Sequence, residues 1–228
     1  MEKYVIEGGV PLYGEVEIQS AKNAVLPLLA AAVLTEQRVV IHRCPRITDV
    51  LNMVQILAEL GFSTNFVGED LTIDGADAAN HEIPAALAKE LRSSVFMLGS
   101  VIARFGRARI AYPGGCDIGL RPIDLHLSGL RRLGVCIGEE GGYIDCVCSR
   151  LKGAEILLDC PSVGATENIM LAAVRAEGET VIRNAAREPE IVDLANFLNR
   201  MGAKVYGAGS QTVRIEGVSS LHGVEYTP

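Results

Sequence analysis

The segment YPGGCDIGLRPIDLH, residues 112–126, carries a Gly-Gly turn, a thiol at Cys116, a third glycine, Arg121-Pro122, the carboxylate of Asp124 and the imidazole of His126. Gly114-Gly115 predicts a loop flexible enough to act as a lid. Cys116 is then either an incidental loop thiol or a reacting group on a moving tip. Arg121 has the planar fork that grips a phosphate through two N–H donors, which a lysine cannot do. Asp124 suits the N-cap of a following helix, as does Asp193 further along. His126 falls inside that helix, where a lone histidine is more often structural than chemical.

Three further positions could bind an anion. Lys22-Asn23 opens the apolar run NAVLPLLAAAVL. A lysine there is either solvated beside an ordinary cap, or held against the helix dipole by an anion that it binds with the free backbone N–H groups. Arg92, in ELRSSV, begins a second run of the same kind, and either pairs with Glu90 or meets an anion. The third run opens with SVGATEN, where Ser162, Val163 and Gly164 offer a hydroxyl and backbone donors in place of a cation.

What positions these groups is a threefold repeat. A short strand recurs as RVVIH, RARIA and ETVIR, centred on Ile41, Ile110 and Ile182. A helical pattern then ends at Leu60-Gly61, Leu133-Gly134 and Met201-Gly202, one turn after Leu57, Leu130 and Leu198. Closing strands follow as LTIDG, YIDCV and VRIEG. Each unit spans about 70 residues and reads β-α-β-α-β-β, too long for a solenoid repeat, so closure into one pseudo-threefold body is predicted. The first helix of each unit is apolar or small on nearly every face and should be buried all round. The second has one apolar stripe and should lie half exposed. Three buried helices wrapped in sheet make an inside-out α/β barrel. Pro27 should kink the first buried helix or set its first turn. Residues 1–20 alternate like a pair of strands around Gly8-Gly9 and Pro11 and stand outside the repeat.

Composition limits the alternatives. A hydrophobic content of 49% with 5% aromatic residues and no Trp predicts an aliphatic core. The net charge of −7 argues against a nucleic-acid partner. No apolar run reaches the roughly 20 residues that span a bilayer, and no signal-peptide pattern opens the chain, so a cytoplasmic location without membrane contact is predicted. Its cysteines should then be thiols. Cys44, Cys136, Cys146, Cys148 and Cys160 read as small buried hydrophobes, and Cys146-Val-Cys148 lacks the spacing of a zinc knuckle. No metal or organic cofactor is predicted.

Four segments, SAKNAVLPLLAAAVL, PGGCDIGLRPIDLHLSGLRRLG, SVGATENIMLAA and NAAREPEIVDLANFLNRMGA, resemble the UDP-N-acetylglucosamine enolpyruvyl transferase family along the whole chain. The resemblance implies the enolpyruvyl-transferase fold, with two inside-out domains of three repeats each. It implies transfer of the enolpyruvyl group from phosphoenolpyruvate to the 3-hydroxyl of UDP-N-acetylglucosamine, the first committed step of peptidoglycan synthesis. Cys116 is then the proton donor to C3 of phosphoenolpyruvate, a thiol able also to form a covalent adduct, and the target of fosfomycin. Lys22, Arg121 and His126 join it at the reacting centre. Substrate contacts fall on Lys22, Asn23, Arg92, the uridine-binding turn Arg121, Pro122, Ile123, Asp124 and Leu125, and the turn Cys160, Pro161, Ser162, Val163 and Gly164. Some family members carry Lys where this chain has Cys160-Pro161.

Family enzymes are about twice this length and hold the active site between two domains. The chain is therefore expected to supply the first domain, residues 21–228, with repeats at about 21–75, 89–147 and 155–218. Residues 1–20 would belong with a missing C-terminal domain that carries the base and further arginines. Such a half-enzyme should lack turnover by itself. The alternatives are the shikimate-pathway enolpyruvyl transferase, which lacks the Gly-Gly-Cys segment, and a non-catalytic nucleotide-binding or thiol/zinc module.

Overall fold

Ile41, Ile110 and Ile182 occupy the same place in three sheets that share one topology. The structure, a computed structural model, describes residues 3–113 and 123–228. Its strands are β1 (Val39–Ile41), β2 (Ser63–Val67), β3 (Asp70–Asp74), β4 (Glu82–Ile83), β5 (Arg107–Ala111), β6 (Cys136–Glu140), β7 (Tyr143–Val147), β8 (Glu155–Leu157), β9 (Glu179–Arg183), β10 (Lys204–Tyr206), β11 (Thr212–Glu216) and β12 (Glu225–Tyr226). They form the sheets β12-β1-β3-β2, β4-β5-β7-β6 and β8-β9-β11-β10. Ile41 lies opposite Leu71, Ile110 opposite Ile144 and Ile182 opposite Val213 across antiparallel ladders, and all six side chains are buried.

On the other side of each central strand runs a short parallel neighbour. Ile110 is paired with Ile83 and Ile182 with Ile156, both from strands that precede them. In the first sheet that place is taken by β12, where Tyr226 pairs with Ile41. The first unit thus takes its leading strand from the far end of the repeat array. Thr35 Oγ1 donates to the Leu221 carbonyl, and the Gly223 N–H donates to Gln37 Oε1, fastening the same closure.

The helices divide as their sequences predict. Buried nearly all round are α1 (Lys22–Ala32), α4 (Met97–Phe105), which continues a 3-10 turn at Arg92–Phe96, and α6 (Val163–Ala173). These three pack on one another at the centre. One-sided helices α2 (Thr48–Glu59), α5 (Asp124–Arg132) and α7 (Pro189–Arg200) cover the core with their apolar stripes. Short α3 (Ala85–Glu90) leads into the 3-10 turn. Each one-sided helix stops at the anticipated glycine. Gly61, Gly134 and Gly202 have φ of +93°, +92° and +97°, a region that side-chain-bearing residues avoid, so the chain can reverse there. The result is an inside-out α/β barrel of three repeats around buried helices.

Two local features bear on the expectations for Pro27 and for the first twenty residues. Pro27 is the sixth residue of α1 rather than part of its first turn. Its ring removes the N–H that would bond to the Asn23 carbonyl. Residues 3–20 form no strand, and Tyr4, Ile6 and Leu12 are each at least 87% exposed. Their alternation is strand-like, but a lone hairpin with no sheet to receive it is marginal in water. Glu17 pairs with Arg43.

Arg104 on α4 ties the first two units together. Its guanidinium donates to the carbonyls of Val33 (3.0 Å) and Thr35 (2.7 Å), left over just after α1, and to that of Gly75 (2.6 Å) just after β3. Among the described residues no helix is long and apolar enough to cross a membrane.

Candidate functional site

The inside-out arrangement points the beginnings of all three central helices toward one side. Lys22 and Asn23 are the first residues of α1, Arg92 opens the 3-10 turn before α4, and Ser162 caps α6. These groups border a single cleft of about 720 Å³. Leu125 and His126 from α5 and the Cys160–Gly164 turn complete its walls. Residues distant in sequence thus meet because the repeat places equivalent helix ends together.

At the third helix end the Ser162 hydroxyl accepts the N–H of Ala165 at 3.3 Å, the expected cap geometry. No side chain caps α1 or the 3-10 turn, and those positions begin with cations instead. Free N–H groups together with Lys22 and Arg92 give the cleft the chemistry of an anion site. Lys22 Nζ lies 2.7 Å from Asp49 Oδ2, with both side chains partly exposed. Lys22 and Asn23 also border a second, more open depression against α7 and residues 18–21, so they stand on the ridge between the two.

His126 lies 7% exposed beneath this cleft, stacked against Phe96 with ring centroids 6.5 Å apart and planes 16° from parallel. Burial first, and the Arg92 charge second, push its imidazole down to about 4, so the ring is neutral near pH 7. Gly164 is required beside it. A Cβ there would approach His126 Cε1 and Phe96 Cε1 to 3.0 and 2.9 Å.

Several expectations need adjustment. Asp124 is the first residue of α5 but makes no capping bond; Ile123 holds the cap position. Asp193 is the fifth residue of α7, also not a cap. Asp124 instead faces a neighbouring groove with Arg132, Glu155 and Arg183, while Leu125 borders both groove and cleft. Ile123 is buried. Cys44, Cys146 and Cys148 are buried thiols, yet Cys136 and Cys160 are exposed, because the first sits on an outer strand and the second at the cleft mouth. Cys116, Arg121 and Pro122 lie outside the described residues. Among the described residues no group of three His, Cys, Asp or Glu is placed to hold a metal ion.

Two residues of the site were missed in the sequence. Glu167, 1% exposed, borders the cleft with Oε2 buried and unbonded. Burial first, then the charges of Glu190 and Glu188, raise its carboxyl well above the usual range, favouring the protonated form. Asn168, wholly buried, bonds to His126. The signal was present: a charged and an amide side chain interrupt ATENIMLAA, a stretch otherwise fit for all-round burial, and buried polar groups need partners.

The chain is 58% identical, over all its length and 54% of the relative's, to UDP-N-acetylglucosamine 1-carboxyvinyltransferase 2 of Caldanaerobacter subterraneus subsp. tengcongensis. It is 49% identical, over all its length and 54% of the relative's, to UDP-N-acetylglucosamine 1-carboxyvinyltransferase of Acinetobacter baylyi. The chain spans about half the length of these curated relatives. Among solved structures it resembles the enolpyruvyl transferase NikO from Streptomyces tendae, with a TM-score of 0.83 and 26% identity over 96% of this chain and 52% of that one. EPSP synthase from Acinetobacter baumannii shares the fold at a TM-score of 0.74 and 20% identity, over 94% of this chain and 49% of that one. The model of the EPSP synthase (3-phosphoshikimate 1-carboxyvinyltransferase) family matches residues 6–227. With its three repeats and its shared cleft at the helix starts, the chain belongs to the EPSP synthase family of carboxyvinyltransferases.

Proposed function

We propose that this chain supplies one of two domains of an enzyme that transfers the enolpyruvyl group of phosphoenolpyruvate to the 3-hydroxyl of UDP-N-acetylglucosamine, in the cytoplasm, for peptidoglycan synthesis. The observation that carries the reading is the meeting of Lys22, Asn23, Arg92 and the Ser162–Gly164 turn in one cleft, in a chain 58% identical to a UDP-N-acetylglucosamine 1-carboxyvinyltransferase. Both substrates bear phosphate, and the cleft offers ammonium, guanidinium and helix-start N–H groups.

In this mechanism the sugar hydroxyl gives its proton to a base and adds to C2 of phosphoenolpyruvate while C3 gains a proton. Loss of phosphate from C2 and of a proton from C3 then restores the double bond on the new ether. Cys116 donates the C3 proton, Lys22 and Arg121 hold the phosphate charge, and the turn at 121–125 takes the uridine. The carboxylate base and further arginines come from the second domain, so residues 21–228 bind and residues 1–20 join the partner domain.

Calorimetric titration of the 228-residue chain with UDP-N-acetylglucosamine, beside a phosphate-release assay, tests this. Weak binding without release is expected, with release appearing when the second domain is supplied. Phosphate release by the chain alone would overturn the half-site assignment. Equal or better turnover of a 3-phosphorylated shikimate by the completed enzyme would overturn the sugar-nucleotide assignment.

A further inference from the structure

One buried amide determines what His126 can do. The backbone N–H of Gly99 donates to Asn168 Oδ1 at 2.7 Å, and Asn168 Nδ2 donates to the Val95 carbonyl at 3.1 Å. A backbone N–H only donates and a carbonyl only accepts, so these two bonds fix which end of the amide is oxygen. The second Nδ2 hydrogen faces His126 Nδ1 at 3.2 Å. Nδ1 must therefore accept, and the ring proton resides on Nε2. No hydrogen bond to Nε2 is formed among the described residues, and that edge of the ring lies over Gly164 at the cleft.

We propose that Asn168 is a positioning residue that holds His126 as a neutral Nε2–H donor, so that His126 binds an oxygen atom of the cleft's occupant and does not relay protons. Adding a proton to Nδ1 would set two donors against each other, and Asn168 cannot rotate to relieve this without breaking its bonds to Gly99 and Val95. The surroundings act in the same direction. Arg92 brings a positive charge from the 3-10 turn. Phe96 brings none, and Glu167, next to Asn168 on α6, has a carboxyl raised well above its usual range by burial, which disfavours a negative charge there. Asp124 on the histidine's own helix is exposed.

The tautomer is independent of the transferase reading. That the accepting oxygen belongs to a phosphate or sugar of the substrate rests on it. The test is long-range proton–nitrogen correlation spectroscopy of the 15N-labelled chain between about pH 5 and 8. The His126 ring should keep the Nε2-protonated pattern throughout. A wild-type ring protonated at Nδ1, or titrating near the ordinary value of about 6.5, overturns the proposal whether or not any variant folds. Asn168→Asp keeps the oxygen that Gly99 uses but makes the Nδ1 partner an acceptor. Its ring should move the proton to Nδ1 and titrate at least one pH unit higher. Folded Asn168→Ala should show mixed tautomers, and an unchanged Nε2 form there would remove the positioning role. Titration of the same sample with UDP-N-acetylglucosamine is scored separately, so failure of the substrate assignment leaves the tautomer result standing, and the converse.

Discussion

The hydroxyl of Tyr226 on β12 donates to Asp193 Oδ1 on α7, while the Tyr226 ring meets Phe197 edge-on at 5.3 Å and 80°. The last strand of the first sheet is thereby fastened to a helix of the third unit. Tyr226→Phe keeps the ring packing and removes the bond, leaving a half-buried carboxyl that lacks its donor. A loss of about 1–2 kcal/mol is expected in urea unfolding, with an unchanged slope. No loss would show that the contact is incidental.

Lys22 and Asp49 pair near the surface, where such pairs contribute about 0–1 kcal/mol. Asp49→Ala should therefore leave stability within about 1 kcal/mol. If Lys22 binds substrate phosphate, Lys22→Ala should weaken phosphoenolpyruvate capture by the completed enzyme by a few kcal/mol, with stability again little changed. Early melting of Lys22→Ala with intact capture would mark the lysine as structural.

His126 gives the fold an acid-side weakness. Its folded-state value is lowered to about 4, so the unfolded chain takes up the proton first as pH falls. The contribution is fully present above about pH 6.5 and is lost between about 6.5 and 4, amounting to roughly 3 kcal/mol. Urea midpoints at pH 7 and 4.5 measure it, and His126→Gln should flatten the dependence. Equal slopes in both proteins would contradict it.

Glu167 acts in the opposite sense. Burial raises its folded-state value, so the native protein holds a proton that the unfolded chain releases. That contribution is present below about pH 4.5 and declines as pH rises toward the raised value. Glu167→Gln supplies a neutral isostere and should gain stability over wild type as pH increases from 5 to 8. A constant difference across that range would show that folding does not raise the Glu167 carboxyl.

Cys116 is tested in an enzyme completed by its second domain. Cys116→Asp should keep transferase activity and resist fosfomycin, because a carboxylic acid can donate the proton without being alkylated readily. Cys116→Ser should lose most activity, its hydroxyl being too weak an acid. Serine working as well as aspartate would remove the proton-donor role.

Most of the architecture was legible because it repeats. Ile41, Ile110 and Ile182, with the glycines that end α2, α5 and α7, mark the same junctions three times, and apolar content separates central from outer helices. The leading strands β4 and β12 were not legible, since two residues show no periodicity. At the site, the convergence of Lys22, Asn23, Arg92 and Ser162 could be read from the symmetry. The Lys22–Asp49 pair and the Asn168–His126 bond could not, because each joins residues of different helices whose relative rotation no local pattern encodes.

The pairing of Val40 with Glu225 and Ile41 with Tyr226 bears on synthesis at the ribosome. The second and third sheets draw all their strands from contiguous sequence and can assemble as each unit emerges. The first cannot be completed until residue 226 has left the exit tunnel, although its central strand emerges before either of the others. Until β12 emerges, β1 therefore presents an open parallel edge, the kind of surface that nascent chains bury in one another. The vulnerable interval lies in synthesis, and the segment at risk is the first of the three central strands to be made.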